Sequence, residues 1–504
     1  MIYMMIGVQG SGKSTYSKAL ASKLNCEIIS TDGVRKANPG IDPNLVWTIV
    51  YDKVAEAIKN NQDAIYDATN VTTKVRERFF DNIHKRGINE FDITAIVMDT
   101  PYEECYARVQ KRNNDPNELF LPLDAIASYS KTFMFPYINE GFKEIRIIRN
   151  QEVSEIIKRK INLKNDYSSI AHPIILKELE KRMKNSYNGY GEDDETDACK
   201  KIILRNINNQ NADVHFLFGG TSTNKIMIDH ALKGYEAVIA CDTGHINVHE
   251  TGAIEANGRK ILTVPNSFGK LLPERIEEIV LKHPDYHMVK PKMVYISNST
   301  EYGTVYTKDE LLKIKEVCKK YNLYLFIDGA RLYAALNSDK CDYDLPFIAL
   351  VADAFYIGGT KSGLLFGEAL VVINDELKAN LKYSIKRNGG MIAKGFIPAI
   401  MFKAAFEKDL FTQIAKNEND YAKELETKLK ALGVKFLMDA SSNQIFPVVS
   451  RIEKIILEKY IDFETWNDLG NEIVIRFVTN FMTKEEDINQ TIKLFKDIKE
   501  GSLC

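Results

Sequence analysis

Gly7-Val-Gln-Gly-Ser-Gly12-Lys13-Ser14-Thr15 directly follows the apolar run Ile2–Ile6 and leads into the helix-compatible stretch Lys13–Leu24. Glycines at such a turn let backbone N–H groups face inward, and the positive end of the next helix adds to them, so the loop can cradle phosphates. In this pattern Gly7 and Gly12 shape the loop, Lys13 reaches the outer phosphates of ATP, Ser14 holds Mg²⁺ and Thr15 belongs to the same cradle. Strands are predicted at Glu27–Ser30, 64–66 and 92–98, with helical stretches between them. That alternation is the pattern of a parallel α/β sheet.

A chain of 504 residues is too long for one ordinary core. Its composition is globular, with 45% hydrophobic and 27% charged residues. Lys and Arg (67) nearly balance Asp and Glu (69), which disfavours a global attraction to nucleic acid or anionic membrane. Residues 1–150 are also balanced, with 19 basic and 19 acidic side chains. The seven cysteines, Cys504 among them, are scattered without a C-x-x-C pair, as in a reduced compartment. The apolar start is too short for a signal or a membrane span, so a cytoplasmic location is expected.

A second α/β region is predicted from about Asn165, with strands at 214–218, 237–240, 293–296, 323–327, 354–357 and 369–373 and a helix over 308–321. Leu323-Tyr-Leu-Phe-Ile-Asp328 ends one buried strand in a carboxylate; Asp353-Ala-Phe-Tyr-Ile-Gly-Gly-Thr-Lys361 ends another in a lysine. Open α/β sheets bind ligands at strand C-termini. A pyridoxal-phosphate (PLP) site needs a lysine for the cofactor's aldehyde, an acid for its pyridine nitrogen and a cradle for its phosphate. Lys361 and Asp328 supply the first two. Gly219-Gly220-Thr221-Ser222, between a strand and a helix, is the candidate cradle through Gly220 and Thr221.

The phosphate loop, Asp32-Gly-Val-Arg35, Asp67-Ala-Thr-Asn70, the pair Arg108 and Arg112, and Pro136-Tyr-Ile-Asn-Glu-Gly-Phe142 together resemble the polynucleotide-kinase-like branch of P-loop kinases over residues 1–150. The resemblance implies phosphoryl transfer from ATP to a hydroxyl, with Asp32 as general base and Arg35 at an acceptor phosphate. Arg108 and Arg112, four residues apart on one helix face, are candidate lid cations. Read singly, Asp32 is equally a helix N-cap, and the arginines a solvated helix face.

Residues from about 165 to 500 resemble low-specificity threonine aldolases, fold-type I PLP enzymes related to the β-eliminating lyases. The carriers are Asn165-Asp-Tyr-Ser168, Tyr190-Gly-Glu-Asp193, the Gly219-Gly-Thr221 loop, His245, Glu250-Thr-Gly-Ala253, Asp328-Gly-Ala-Arg331, Lys361 and Arg476-Phe-Val-Thr479. The resemblance implies that His245 stacks on the cofactor ring and that Ser168, Arg331 and Arg476 grip the substrate α-carboxylate. Tyr190 is assigned to the substrate side, Arg331 also to the cofactor, and a homodimer or tetramer is implied. Some aldolases carry a second histidine where this chain has Glu301, which leaves His245 and Glu301 as alternative bases. His249 reads as structural, and Lys386 with Arg387 as either a surface pair or a reach to a partner subunit's phosphate.

The expected organisation is α/β: a P-loop kinase domain (1–150), a helix-compatible linker (151–166), a PLP-binding large domain (167–386) and a small α+β domain (387–504). The expected activity is retro-aldol cleavage of a β-hydroxy-α-amino acid joined to an ATP-dependent kinase. The alternatives are a nucleic-acid end-repair kinase and a PLP β-eliminating lyase or aminotransferase.

Overall fold

The computed structural model describes residues 1–114 and 120–502; Cys504 lies outside them. The chain forms two compact units, Met1–Lys160 and Ile161–Cys504.

In the first unit β1 (Ile2–Ile6), β2 (Glu27–Ser30), β3 (Ala64–Asp67), β4 (Ile93–Met98), β5 (Glu144–Arg149) and β6 (Glu152–Lys158) form a sheet of order β2-β3-β1-β4-β5-β6. All neighbours run parallel except β5 and β6. Alternate residues of β1 enter different cores: Ile2, Met4 and Ile6 one, Tyr3 and Met5 the other. Both faces are therefore covered, as a parallel sheet requires.

β6 corrects the expected linker. Asn150 and Gln151 both take left-handed backbone angles, and Arg149 pairs with Glu152, so two residues close a hairpin. The turn lacks the glycine that usually marks such hairpins, and the charges that suggested a helix suit an edge strand. Residues 161–163 belong elsewhere: β7 (Ile161–Asn162) opens the second unit.

That unit's main sheet contains β8 (Asp213–Leu217), β9 (Glu236–Cys241), β10 (Lys260–Val264), β11 (Lys290–Ser297), β12 (Tyr324–Asp328), β13 (Ala354–Gly358) and β14 (Glu368–Val372). Its order is β10-β9-β11-β12-β13-β14-β8, and β14 is antiparallel to both its neighbours. Leu325, Ile327, Phe355 and Ile357 face one core, which includes Ile203, Ile314 and Met401. Phe326, Ala354 and Tyr356 face the other, with Ile226, Met227 and Leu381. The alternation sends Asp328 to the second face.

A smaller sheet is built from β15 (Lys435–Phe436), β16 (Gln444–Ile445), β17 (Pro447–Ser450), β19 (Glu464–Asp468) and β20 (Glu472–Val478); β18 (Ile461–Asp462) pairs with β7. Ile161 and Leu163 share its core with Leu425, Leu429 and Phe477. The expected boundary at residue 387 falls too early. Helix Phe396–Glu407 buries Ala399, Met401 and Phe402 in the large core. The change occurs within helix Leu410–Ala431, whose Leu410 and Ile414 face the large core and whose Leu425 and Leu429 face the small one.

In the first unit the fully buried Arg76 is held by a two-pronged pair with Glu140, at 2.6 and 2.9 Å, and donates to the carbonyls of Asn70 and Met134. Glu140 lies in the 136–142 motif, so that motif contributes a structural clamp. Truncating one partner leaves a buried, unpaired charge. Arg76→Ala is therefore expected to lower the stability of the first unit by about 3–5 kcal/mol in chemical denaturation, with the unfolding of the second unit unchanged.

Candidate active sites

In the first unit the loop between β1 and helix Lys13–Leu24 depends on Gly10 and Gly12, at φ +82° and +92°. A Cβ at Gly10 would lie 2.4 Å from the Cys105 carbonyl oxygen. Lys13 Nζ bends back over the loop and donates to the Gly7 and Val8 carbonyls at 2.8 and 2.9 Å. Burial lowers its pKa to about 8, although Asp67 opposes the shift. Asp67, at the end of β3, is itself raised by burial, against Lys13 and the Ser14 hydroxyl. Ser14 and Thr15 are exposed beside the loop.

Arg108 donates to the Gly10 carbonyl at 3.2 Å and pairs with Glu104. Arg112 has a buried Nε without a hydrogen-bond partner, and its charge depresses the Lys13 pKa. Arg108, half exposed, thus touches the loop, and Arg112 acts on Lys13 through its charge. Asp32 is not the N-cap of helix Thr31–Ala37: Ser30 Oγ accepts from Gly33 N there. Asp32 instead forms an exposed pair with Arg35 at 2.9 Å and acts electrostatically on Lys13. The residues fit a nucleoside triphosphate. The orphaned Arg112 Nε and the Lys13 ammonium supply cationic donors, and Ser14 with Asp67 supplies oxygen ligands suited to Mg²⁺. Asn70 was not singled out by itself; buried, it donates from Nδ2 to the Met5 carbonyl at 2.8 Å and ties β3 to β1.

In the second unit Tyr295 on β11, Asp328 on β12 and Tyr356 on β13 share a sheet face, as their parity along the strands requires. Asp328 Oδ2 accepts from Tyr295 OH at 2.6 Å and Asn224 Nδ2 at 2.9 Å; Oδ1 accepts from Tyr356 OH at 2.5 Å and Ala330 N at 3.0 Å. Burial pushes this carboxyl up, but His245, the two hydroxyls and the Ala330 N–H outweigh it and hold it below the usual carboxylate range. Asn224 also donates to Glu250 at 2.8 Å, and Glu250 pairs with His245 Nδ1 at 2.8 Å. One side chain therefore couples the acid to the histidine, and no local pattern announced it.

Asn224 sits on helix Gly220–Ala231, capped by Gly219 without a side chain. The first-turn N–H groups at Gly220, Thr221 and Ser222 have no intrahelical acceptors, and Thr221 is exposed. A Cβ at Gly220 would meet Tyr356 OH at 3.1 Å.

Lys361 follows β13, with Nζ 5.9 Å from the centre of the Tyr167 ring. Burial and then Arg331 lower its pKa, while Asp166, Asp328 and Glu368 oppose. Arg331 is bound two-pronged by buried Asp166, at 2.6 and 3.0 Å, so a chain carboxylate occupies one edge of the fork expected to grip ligand. Arg476 pairs with Glu464, sits over the Trp466 ring with its guanidinium carbon 4.9 Å from the ring centre, and keeps a buried Nε without a partner. Burial followed by Arg331 lowers its pKa. Glu301 Oε1 accepts from Ser297 Oγ at 2.7 Å and His245 N at 3.0 Å, while its buried Oε2 has no partner. Burial raises this carboxyl against the Ser297 hydrogen bond.

Other expected residues have partners within the chain. Ser168 Oγ donates to Asn165 at 2.5 Å and is exposed. Tyr190 stacks under Lys386 at 4.6 Å and donates from its N–H to the Ala393 carbonyl, rather than joining the Asp328 cluster. Arg387 pairs with Asp229 of the same chain, which gives that arginine an internal partner. His249 lies 5.4 Å from His245 ring to ring, and burial lowers its pKa.

The site fits PLP. It has a buried carboxylate kept anionic, a lysine whose ammonium form is disfavoured, a helix N-terminus for the phosphate, and orphaned buried atoms at Asn224 Oδ1, Glu250 Oε2, Glu301 Oε2 and Arg476 Nε.

The beta-eliminating lyase family pattern matches residues 176–451, and an AAA domain pattern matches residues 2–136. The low specificity L-threonine aldolase of Pseudomonas aeruginosa is 33% identical over 51% of this chain and 75% of its own length. That of a Pseudomonas species is 32% identical over 56% and 82%. A solved threonine aldolase of Leishmania major is 40% identical, covers 67% of this chain and 99% of its own, and superposes with a TM-score of 0.66. An aspartate aminotransferase of Thermus thermophilus, 14% identical with a TM-score of 0.52, shares the fold.

Asp328 and Glu250 each lose a donor in Asn224→Leu. Asp328 is held below its ordinary value, so its stabilising contribution is present above the usual carboxylate range and lost as pH falls through the folded value. The variant raises that folded value, so its acid-unfolding midpoint, followed by circular dichroism, is expected at higher pH than wild type.

Proposed function

The chain belongs to the beta-eliminating lyase family, and on that premise we propose that its second unit is a threonine-aldolase-type PLP lyase. It cleaves the Cα–Cβ bond of a β-hydroxy-α-amino acid, threonine or allo-threonine, to glycine and an aldehyde. The carrying observation is the anionic Asp328 and the depressed Lys361 at the ends of adjacent strands, with Arg331 acting on Lys361 and in turn on Arg476.

Lys361 would hold the cofactor covalently, Asp328 its ring nitrogen, Gly220 and Thr221 its phosphate, and His245 one face of its ring. Bound PLP supplies an electron sink next to the substrate Cα. The chain's own residues do the rest. Asp166 fixes the Arg331 fork, leaving Nη1 to meet the α-carboxylate with Arg476 and Ser168; such a clamp orients the scissile bond. Glu301 takes the β-hydroxyl proton at Oε2. Its other oxygen is tethered, and burial raises its carboxyl, the direction in which a general base is tuned. His245 Nδ1 is engaged by Glu250, which suits a ring-positioning role better. As the resemblance implies, a homodimer or tetramer through this unit completes the site. No helix among the described residues is long and apolar enough to cross a membrane.

The first unit transfers the γ-phosphoryl of ATP to a hydroxyl. Lys13, Arg108 and Arg112 offset charge on the phosphates, Ser14 would hold Mg²⁺, and Asp32, oriented by Arg35, accepts the hydroxyl proton. The charge balance of residues 1–150 favours a small acceptor over a nucleic acid. Radiolabel from ATP should pass to a small hydroxyl metabolite such as serine or threonine. Transfer to a 5′-hydroxyl oligonucleotide instead would overturn this choice of acceptor.

Lys361→Ala should abolish both cofactor absorbance and amino-acid cleavage while ATP hydrolysis continues, and Lys13→Ala should do the reverse. Loss of both activities in either folded variant would contradict two independent sites. Glu301→Gln should keep the cofactor and lower kcat roughly 10²–10⁴-fold; a wild-type kcat would remove Glu301 as the base.

A further inference from the structure

Glu368 opens β14 opposite Gly358 of β13, in the ladder that leads to Lys361. It is 3% exposed, and among the described residues no ion pair neutralises it. Its two oxygens grip consecutive residues of the Lys361 turn: Oε2 accepts from Gly359 N at 3.0 Å and Oε1 from Thr360 Oγ1 at 2.8 Å. Thr360 Oγ1 in turn accepts from Gly367 N at 3.0 Å, and the Gly359 and Thr360 N–H groups reach the Gly367 carbonyl at 3.0 and 3.2 Å. A Cβ at Gly359 would lie 2.6 Å from that carbonyl oxygen, so the turn is pressed against the strand that clamps it.

We propose that Glu368 is a positioning residue for Lys361, acting through its hydrogen bonds to Gly359 and Thr360 and through its charge. This rests on Lys361 being the lysine that holds the cofactor. Fixing two residues immediately before Lys361 fixes the direction in which its side chain leaves β13. Hydrogen bonding alone does not require a carboxylate, since a glutamine could accept from Gly359 and donate to the rotatable Thr360 hydroxyl. The carboxylate adds a titrating charge. Burial raises the Glu368 pKa to about 8, with the Thr360 and Gly359 hydrogen bonds and Lys361 opposing and Asp328 reinforcing. Tyr356 is also influenced by it. Below about pH 8 the group is neutral. Above it, its negative charge opposes loss of the Lys361 proton, so the two titrations are coupled.

The test uses Glu368→Gln in the full-length apoenzyme. Lys361 acylation by an amine-directed reagent is followed against pH by peptide mass, and the absorbance of added PLP is followed in parallel. Wild type should show a broad, two-proton profile. Glu368→Gln should show a single-proton profile with its midpoint lower by about one pH unit. Thr360→Val removes a hydrogen bond that lowers the Glu368 pKa but leaves the carboxyl in place, so its midpoint should shift in the same direction as that of Glu368→Gln but by less. Superimposable profiles for wild type and Glu368→Gln would overturn the proposal. If PLP absorbance persisted in Lys361→Ala, the reading of Lys361 itself would fail, and this inference with it.

Discussion

A carboxylate buried at the end of β12 is the constraint around which the second unit is arranged. An ionised group can stay ionised away from water only if hydrogen bonds and charge replace its hydration. Asp328 has both: two tyrosine hydroxyls from the flanking strands, an amide from the helix above and a backbone N–H from its own turn. The two oxygens offer about four acceptor positions, and all are used. A protonated ring nitrogen therefore shares a position with an existing donor, and the attraction between them is chiefly one of charge. Strand parity makes this possible, because Tyr295, Asp328 and Tyr356 can meet only where the register of β11, β12 and β13 sends them to one face.

The same arrangement offers a ligand two anchors. Helix Gly220–Ala231 presents unpaired first-turn N–H groups where an anion can sit, and four residues into that helix Asn224 reaches Asp328 and Glu250. The P-loop of the first unit solves a related problem with the same physics but a different anchor. There a lysine, held over the loop by backbone carbonyls, carries the charge. Each unit has a glycine turn before a helix, an arrangement suited to phosphate.

Much of this was legible in the sequence, because glycines, strand-terminal Asp328 and Lys361, and the loop around Lys13 are local patterns. Most strands of the two main sheets followed from apolar runs, but β5, β6 and β10 were not among them. What local patterns could not carry were contacts between distant side chains: Asn224 with Asp328, Asp166 with Arg331, Arg76 with Glu140. The clamp of Glu368 on the Lys361 turn lies only a few residues along the chain, yet it depends on β13 and β14 pairing with Gly358 opposite Glu368. The 150–151 hairpin was missed because its turn lacks glycine, and the motif around Tyr190 did not show that its ring lies under Lys386 and its N–H meets the Ala393 carbonyl.

The most direct test is to mix the purified chain with PLP and L-threonine or L-allo-threonine and to quantify both products. The account predicts glycine and acetaldehyde in equal amounts. Ammonia with a keto acid, or an exchanged amino group without acetaldehyde, would show that the Asp328–Lys361 site performs a different PLP reaction.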